Sequence, residues 1–169
     1  MSDVHSPGDG AVAIRPATRA DLPALGRLGA MLVQTHHAFD ARRFIPATAQ
    51  TEQGYAWFLG TQLGDPDAVI LVAEHEGEVI GYTYASVEGF DWMMLRGPAG
   101  VINDILVDPA LRGHGVGRML LDAVVAALQA RGTPQLVLYT ATGNEAAQRL
   151  FASIGFRRTM VEMTRELDD

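Results

Sequence analysis

Apolar residues recur along this chain with two different periods, and the changes between them lay out the elements. The stretch 11–17 ("AVAIRPA") reads as a short strand stopped by Pro16. Thr18 can then cap a helix over 19–39, in which Leu25, Leu28, Met31 and Leu32 recur at helical spacing and Pro23 is tolerated only near the first turn. The segment 51–63 predicts a second helix. Residues 67–89 read as two strands turning at Glu76-Gly77, and 99–109 as another strand, rich in β-branched residues and closed by Pro109. The segment 116–132 is apolar nearly all round, with Arg118, Asp122 and Gln129 marking one narrow polar stripe, and Gly132 ends it. A strand over 135–141 follows. Asn144 can cap a last helix whose Ala147, Leu150, Phe151 and Ile154 share a face before Gly155. Residues 156–167 alternate well enough to predict a terminal strand.

Interleaved strands and helices with no repeat or linker predict one α/β domain over 11–169, a mixed, mostly antiparallel sheet with helices on both faces. The Ser-, Gly-, Pro- and Asp-rich residues 1–10 read as a disordered tail. A chain of 169 residues, 48% hydrophobic, can fill one core. Its net charge of −7 argues against nucleic acid as a partner and gives no attraction to an anionic membrane. With no cysteine, disulfides, thiolate metal sites and a cysteine nucleophile are excluded. The N-terminus has neither a basic start nor an apolar stretch, and no segment approaches membrane-spanning length. A cytoplasmic protein is the expectation.

The densest signal is "DPALRGHGVGRMLL" (108–121), where three glycines alternate with other residues just ahead of a helix. Strand, glycine-rich turn and helix start together aim backbone N–H groups at one point, which suits a phosphate. A nucleotide P-loop would need Gly-Lys-Ser/Thr, which is absent. A dinucleotide fingerprint would need G-x-G-x-x-G and a carboxylate on the next strand, and neither is present. The plainer account is a connection that needs glycine only for tight packing.

"ILVDPALRGHGVGRMLL", with Arg112, Gly115 and Gly117 at its fixed positions, resembles the pyrophosphate-binding segment of the GNAT superfamily of acyl-CoA-dependent N-acetyltransferases. "GNEAAQRLFASIGF" resembles that superfamily's later helix and "VILVAEHEGEVIGYTY" its central hairpin, so the likeness runs over about 11–165. The resemblance implies acetyl-CoA as acyl donor, with no metal, and direct attack by a primary amine. Ile105, Leu106 and Val107 would then pair with the pantetheine arm, and the backbone of Val107 would polarise the thioester carbonyl. Arg112, Gly113, His114, Gly115, Val116, Gly117 and Arg118 would hold the pyrophosphate, and Asn144 would reach the pantetheine near the thiol. Asn144 serves equally well as a helix cap.

Phe151 departs from this pattern, because many members carry a tyrosine there whose hydroxyl protonates the departing thiolate. The departure keeps open a non-catalytic acyl-CoA-binding module, a sensor or assembly domain of the same fold. For a general base, Asp104 is the first candidate: alternation puts it on one face with Ile102 and Leu106, where apolar neighbours should raise its pKa. A structural Asp is the alternative. Glu162 is a further acidic candidate. His36 and His37 read as a solvated pair at a helix end, and Tyr55, Trp57, Phe58, Trp92 and Met93 as mainly core residues. The acceptor expected from the net charge is a small cationic molecule, with a peptide N-terminus and a homodimer left open.

Overall fold

The computed structural model describes residues 10–167, so most of the tail expected over 1–10 lies outside the described residues. Five strands, β1 (Ala13–Pro16), β2 (Ala68–His75), β3 (Glu78–Glu88), β4 (Ala99–Val107) and β5 (Leu136–Leu138), form one sheet in that order. The first three pairings are antiparallel and β4–β5 is parallel. The β2–β3 turn forms as expected, with Glu76 and Gly77 both at positive φ (50° and 82°).

The helices are α1 (Leu22–Phe39), α2 (Thr51–Gln62), α3 (Val116–Ala130) and α4 (Glu145–Ser153). Thr18 begins the first of these through a short 3₁₀ turn, Arg19–Asp21, and Pro23 sits within the first turn of α1. The buried Asp21 carboxylate accepts from the Thr18 N–H (2.8 Å) and from both terminal nitrogens of Arg15 (2.8 and 2.9 Å). Arg15 also donates to Glu74, so one guanidinium ties β1, β2 and the start of α1.

Each face of the sheet buries its own core. Leu25, Leu28 and Leu59 of α1 and α2 pack on Ile70, Val72, Tyr82 and Leu106. On the other face Leu120, Leu121, Val124 and Leu128 of α3, with Phe151 of α4, pack on Val69, Ile80, Ala85 and Ile102. Two glycines let α2 lie hard against α1. A Cβ on Gly26 would stand 2.5 Å from the Glu52 carbonyl, and one on Gly29 would stand 2.1 Å from Cδ1 of Tyr55.

Three expectations fail. β5 is shorter than 135–141 and pairs with β4 only from Gly100↔Leu136 to Ile102↔Leu138. The terminal strand over 156–167 does not form. Phe156 reaches the core and meets Phe151 edge to face (centroids 6.2 Å), but beyond it Met160, Val161, Met163 and Leu167 all stand exposed. With no face to bury, alternation alone does not hold a strand, and the segment is held by ion pairs instead, Arg43–Glu162 and Arg42–Glu166. Finally, Asp104 does not share a face with Ile102. The β3–β4 register shifts between Tyr84↔Asp104 and Ala85↔Ile102, a bulge around Asn103 that turns Asp104 and Leu106 to the α1–α2 side.

Candidate active site

β4 and β5 part company after Ile102, and the bulge follows at once. The backbone of 103–107 thus loses its neighbour on one side, and a cleft of about 620 Å³ opens along that edge. β4 forms its floor. One wall is α1, the following loop and α2, and the other is the end of β5 with α4. Asp108 N–H donates to Ile80 O (2.8 Å), so the preceding residue, Val107, turns its own N–H to the open edge. Arg112 Nε donates to the Val107 carbonyl there (3.4 Å).

The glycine turn stands at one end of this edge. Asp108 leads into it, capping Ala110 N–H (3.0 Å) through Oδ1 and bound by Arg27 through Oδ2 (3.1 Å). Gly113 and Gly115 have φ of +88° and +77°, a region L side chains avoid, and Gly115 is the residue just before α3. A Cβ built on either meets nothing within 4 Å, so the turn faces open space rather than packed side chains. Tight packing therefore does not explain these glycines, and an anion at the start of α3 fits the space and the amides. Arg118, within the first turn of the helix, lines the cleft and donates from Nε to both oxygens of Asp122 (2.9 Å each).

Asp104 lies further along the floor. Its Oδ2 accepts from Tyr55 (2.7 Å) and Tyr82 (3.0 Å), leaving Oδ1 as the oxygen neither hydroxyl uses. Thr83 Oγ1 donates to its carbonyl (2.9 Å), which holds the bulge in place. Burial pushes the carboxyl above its ordinary value, opposed by the two tyrosine hydrogen bonds and by the charge of nearby His36. Burial and the Asp104 charge push both phenols upward, so they remain donors through neutral pH. Tyr55 reaches Asp104 because its ring lies flat on Gly29.

These features coincide with a family match covering most of the chain. Residues 32–156 match the Acetyltransferase (GNAT) family. The chain belongs to that family. A mycothiol acetyltransferase of Thermobispora bispora is 40% identical over 103 residues, 59% of this chain and 33% of that protein. One from Cellulomonas flavigena is 29% identical over 167 residues, 94% of this chain and 45% of that protein. The chain thus spans less than half the length of these curated relatives. Among solved structures, a mutant of the BH1408 protein of Bacillus halodurans superposes with TM-score 0.77 at 21% identity, over 92% of this chain and 99% of that one. An aminoglycoside N-acetyltransferase, AAC(6')-Iy, in complex with CoA superposes with TM-score 0.70 at 20% identity, over 96% and 99%.

The GNAT cleft gathers the residues singled out from sequence: Asp104, Ile105, Leu106 and Val107 on its floor, Arg112, Gly113, Gly115, Val116, Gly117 and Arg118 at the turn, Asn144 and Phe151 on the α4 wall. His114 is the exception. It does not line the cleft, and its Nδ1 points back at the Leu111 carbonyl (3.3 Å). Asn144 does cap α4, accepting from Ala147 N–H (3.2 Å) through its oxygen. Phe151 is buried and keeps its ring edge-on to Phe156.

Other expectations are corrected. Glu162 lies outside the cleft, paired with Arg43, which holds its carboxyl below the usual range. His36 and His37 are not an equivalent solvated pair. His36 lines the cleft with Nδ1 2.9 Å from the Leu32 carbonyl, an oxygen that only accepts, so Nδ1 carries the proton and Nε2 is its free atom. His37 Nδ1 is bound to the Phe44 carbonyl (2.8 Å). Trp57, Trp92 and Met93 are exposed rather than core, with Phe58 partly so, and Tyr55 lines the cleft. Sequence reasoning missed Gly26 and Gly29, although two glycines three apart in an apolar helix were the available signal for a close helix crossing. Among the described residues no cluster of three or more His, Asp or Glu could hold a metal ion, and no helix is long and apolar enough to cross a membrane.

Proposed function

We propose that this chain transfers an acetyl group from acetyl-CoA to a primary amine by direct attack, with Asp104 as the proton acceptor. The observation that carries the reading is the continuity of the cleft from the glycine turn, along the unpaired edge of β4, to the free oxygen of Asp104. Acetyl-CoA supplies the activated acetyl thioester. The amides of Gly113 to Arg118 bind its pyrophosphate at the start of α3, and the open β4 edge orients the pantetheine as a further strand would be held. Val107 N–H, turned to the open edge, would donate to the thioester carbonyl, one preorganised donor for the negative charge that develops on oxygen. The phenylalanine at 151 contributes shape and excludes water but no proton. A thiolate is a far weaker base than an amide anion, so it leaves the tetrahedral adduct without obligatory protonation.

Asp104 Oδ1 takes the proton of the incoming amine, directly or through one water. Tyr55 and Tyr82 hold the other oxygen, which fixes the carboxylate plane and keeps its pKa from rising further. The test is Asp104→Asn. Acetyl-CoA should still raise the melting temperature, while kcat/KM at neutral pH falls by about 10² and the deficit shrinks at alkaline pH, where more amine is already neutral. A pH–rate profile unaltered by the substitution would return Asp104 to a structural role. No thiol release from any amine, with acetyl-CoA still bound, would leave a binding module as the function.

A further inference from the structure

Within the cleft the lining residues carry a charge pattern unlike that of the whole chain. The chain's net charge is −7, yet Asp104 is the only carboxylate among them, against Arg112 and Arg118. Two carboxylates close by are already paired, Asp122 with Arg118 and Glu162 with Arg43, whose guanidinium sits over the Phe44 ring (5.0 Å). A polyamine or aminoglycoside needs several carboxylates at separated positions. Among the lining residues it would find one, because Asp122 and Glu162 are already held by arginines.

The wall facing Asp104 is apolar instead. Leu32, Val33, Phe39, Phe44 and Ile45 line it, with Tyr55 alongside. This surface is built rather than incidental. His36, fixed by its bond to Leu32 O, stands edge-on to Phe44 (5.0 Å) and Phe39 (6.2 Å), making an aromatic row. The bond from His37 to Phe44 O and the Arg43–Glu162 ion pair hold the loop that carries Phe44 and Ile45. Phe39 crosses to the opposite wall, where a Cβ on Gly143 would stand 3.3 Å from its ring, so the row closes against the turn before α4.

We infer that the acceptor is a singly charged primary amine attached to an apolar body of aromatic size, and that polycations are poor acceptors. The inference rests on the acyl-transfer reading above. The amine reaches Asp104 Oδ1, and the body lies on the Phe39–His36–Phe44 row. Charge selection comes from the single carboxylate, and shape selection from the aromatic row.

The experiment runs two measurements on the full chain. Thiol release with saturating acetyl-CoA is followed for phenethylamine, an N-terminal phenylalanyl dipeptide, spermidine and kanamycin, the dipeptide separating a peptide source from a free amine. Calorimetric titration of phenethylamine and spermidine into the CoA complex reads binding without turnover. Phenethylamine should exceed spermidine in kcat/KM by about tenfold or more, the scale at which an apolar pocket discriminates. Ile45→Asp, at the exposed rim, should lower that ratio by adding a second carboxylate, and Phe44→Ala should lower it by removing the wall. Preferred turnover of spermidine or kanamycin would overturn the inference and leave acyl transfer standing. Binding of phenethylamine over spermidine with no thiol release from any amine would sink acyl transfer and the acceptor inference with it, leaving an amine-binding cleft. If phenethylamine neither binds nor reacts, the inference is wrong whatever the other amines do.

Discussion

Removing one hydroxyl, Tyr55→Phe, tests how the protein sets the protonation of Asp104. The tyrosine donates to Asp104 Oδ2 at 2.7 Å, and only the charged carboxylate gains from that bond in full. A hydrogen bond to a charged group contributes about 1.5–3 kcal/mol, and a tenfold change in proton affinity corresponds to about 1.36 kcal/mol. Its loss should therefore move the acid limb of kcat/KM by about one to two pH units, and Tyr82, still donating to the same oxygen at 3.0 Å, keeps the change toward the lower end. The sign follows from which form the bond favours: without it the proton is held more tightly, so the limb moves to higher pH. Activity falls below that limb, by about tenfold for each pH unit that the limb moves, and converges with wild type above it. The ring remains on Gly29, so folding and the acetyl-CoA-induced rise in melting temperature should persist. In an Asp104→Asn background the same change should add nothing, which a double-mutant cycle reads directly. Gly29→Ala provides an independent route, since its Cβ at 2.1 Å must displace the Tyr55 ring. It should move the limb the same way and lower the melting temperature as well. An acid limb unmoved in Tyr55→Phe, or moved to lower pH, would refute the arrangement.

Other consequences can be checked alongside. Gly115→Asp places a carboxylate in the open turn, so acetyl-CoA should no longer raise the melting temperature, and a retained rise would mean the pyrophosphate lies elsewhere. Phe151→Tyr should leave acetyl-CoA binding and turnover nearly unchanged, whereas Phe151→Ala should weaken binding through lost apolar contact. Calorimetry and thiol release read both, and thiol release that appears only in Phe151→Tyr would make the natural protein a binding module. Asp21 is held at about 2, chiefly by the Arg15 hydrogen bonds, against an ordinary 3.8. Its folded pKa lies below its unfolded one, so the stabilisation is present above pH 3.8 and lost as pH falls toward 2. The interval corresponds to about 2 kcal/mol. Denaturant unfolding of Asp21→Asn should show that deficit at pH 7 and a shallower acid decline than wild type, and parallel curves for the two proteins would count against the pairing.

Elements with a strong period or punctuating residue were legible in the chain itself. The apolar faces of α1, α3 and α4, the Glu76-Gly77 turn and the glycine turn before α3 follow from local rules. There, one residue's conformational freedom or one helix's buried stripe decides the outcome. The glycine-turn end of the cleft was legible for the same reason, because that turn, Arg112 and the start of α3 are contiguous in sequence. Local reasoning also read Asp104 as a perturbed carboxylate, correct in direction, but for a face it does not occupy.

The remainder depends on residues far apart in the chain. Simple alternation puts Asp104 beside Ile102, and only the β3–β4 pairing introduces the bulge that turns it toward α1 and α2. Tyr55 is 49 residues from Asp104, and its hydroxyl arrives there because Gly26 and Gly29 bring α2 against α1. His36 and Phe44 become an aromatic wall through contacts that no period encodes. The strand expected at the C-terminus fails for the complementary reason. A strand needs a neighbour and a face to bury, and whether 156–167 finds either is a property of the assembled sheet rather than of its own residues. The sequence by itself therefore determined where helices, turns and the glycine turn before α3 lie, since those rest on backbone geometry and short-range burial. The tertiary structure alone decided which face Asp104 points to, which hydroxyls bind its carboxylate and which side chains face it across the cleft, since those rest on register and on helix approach.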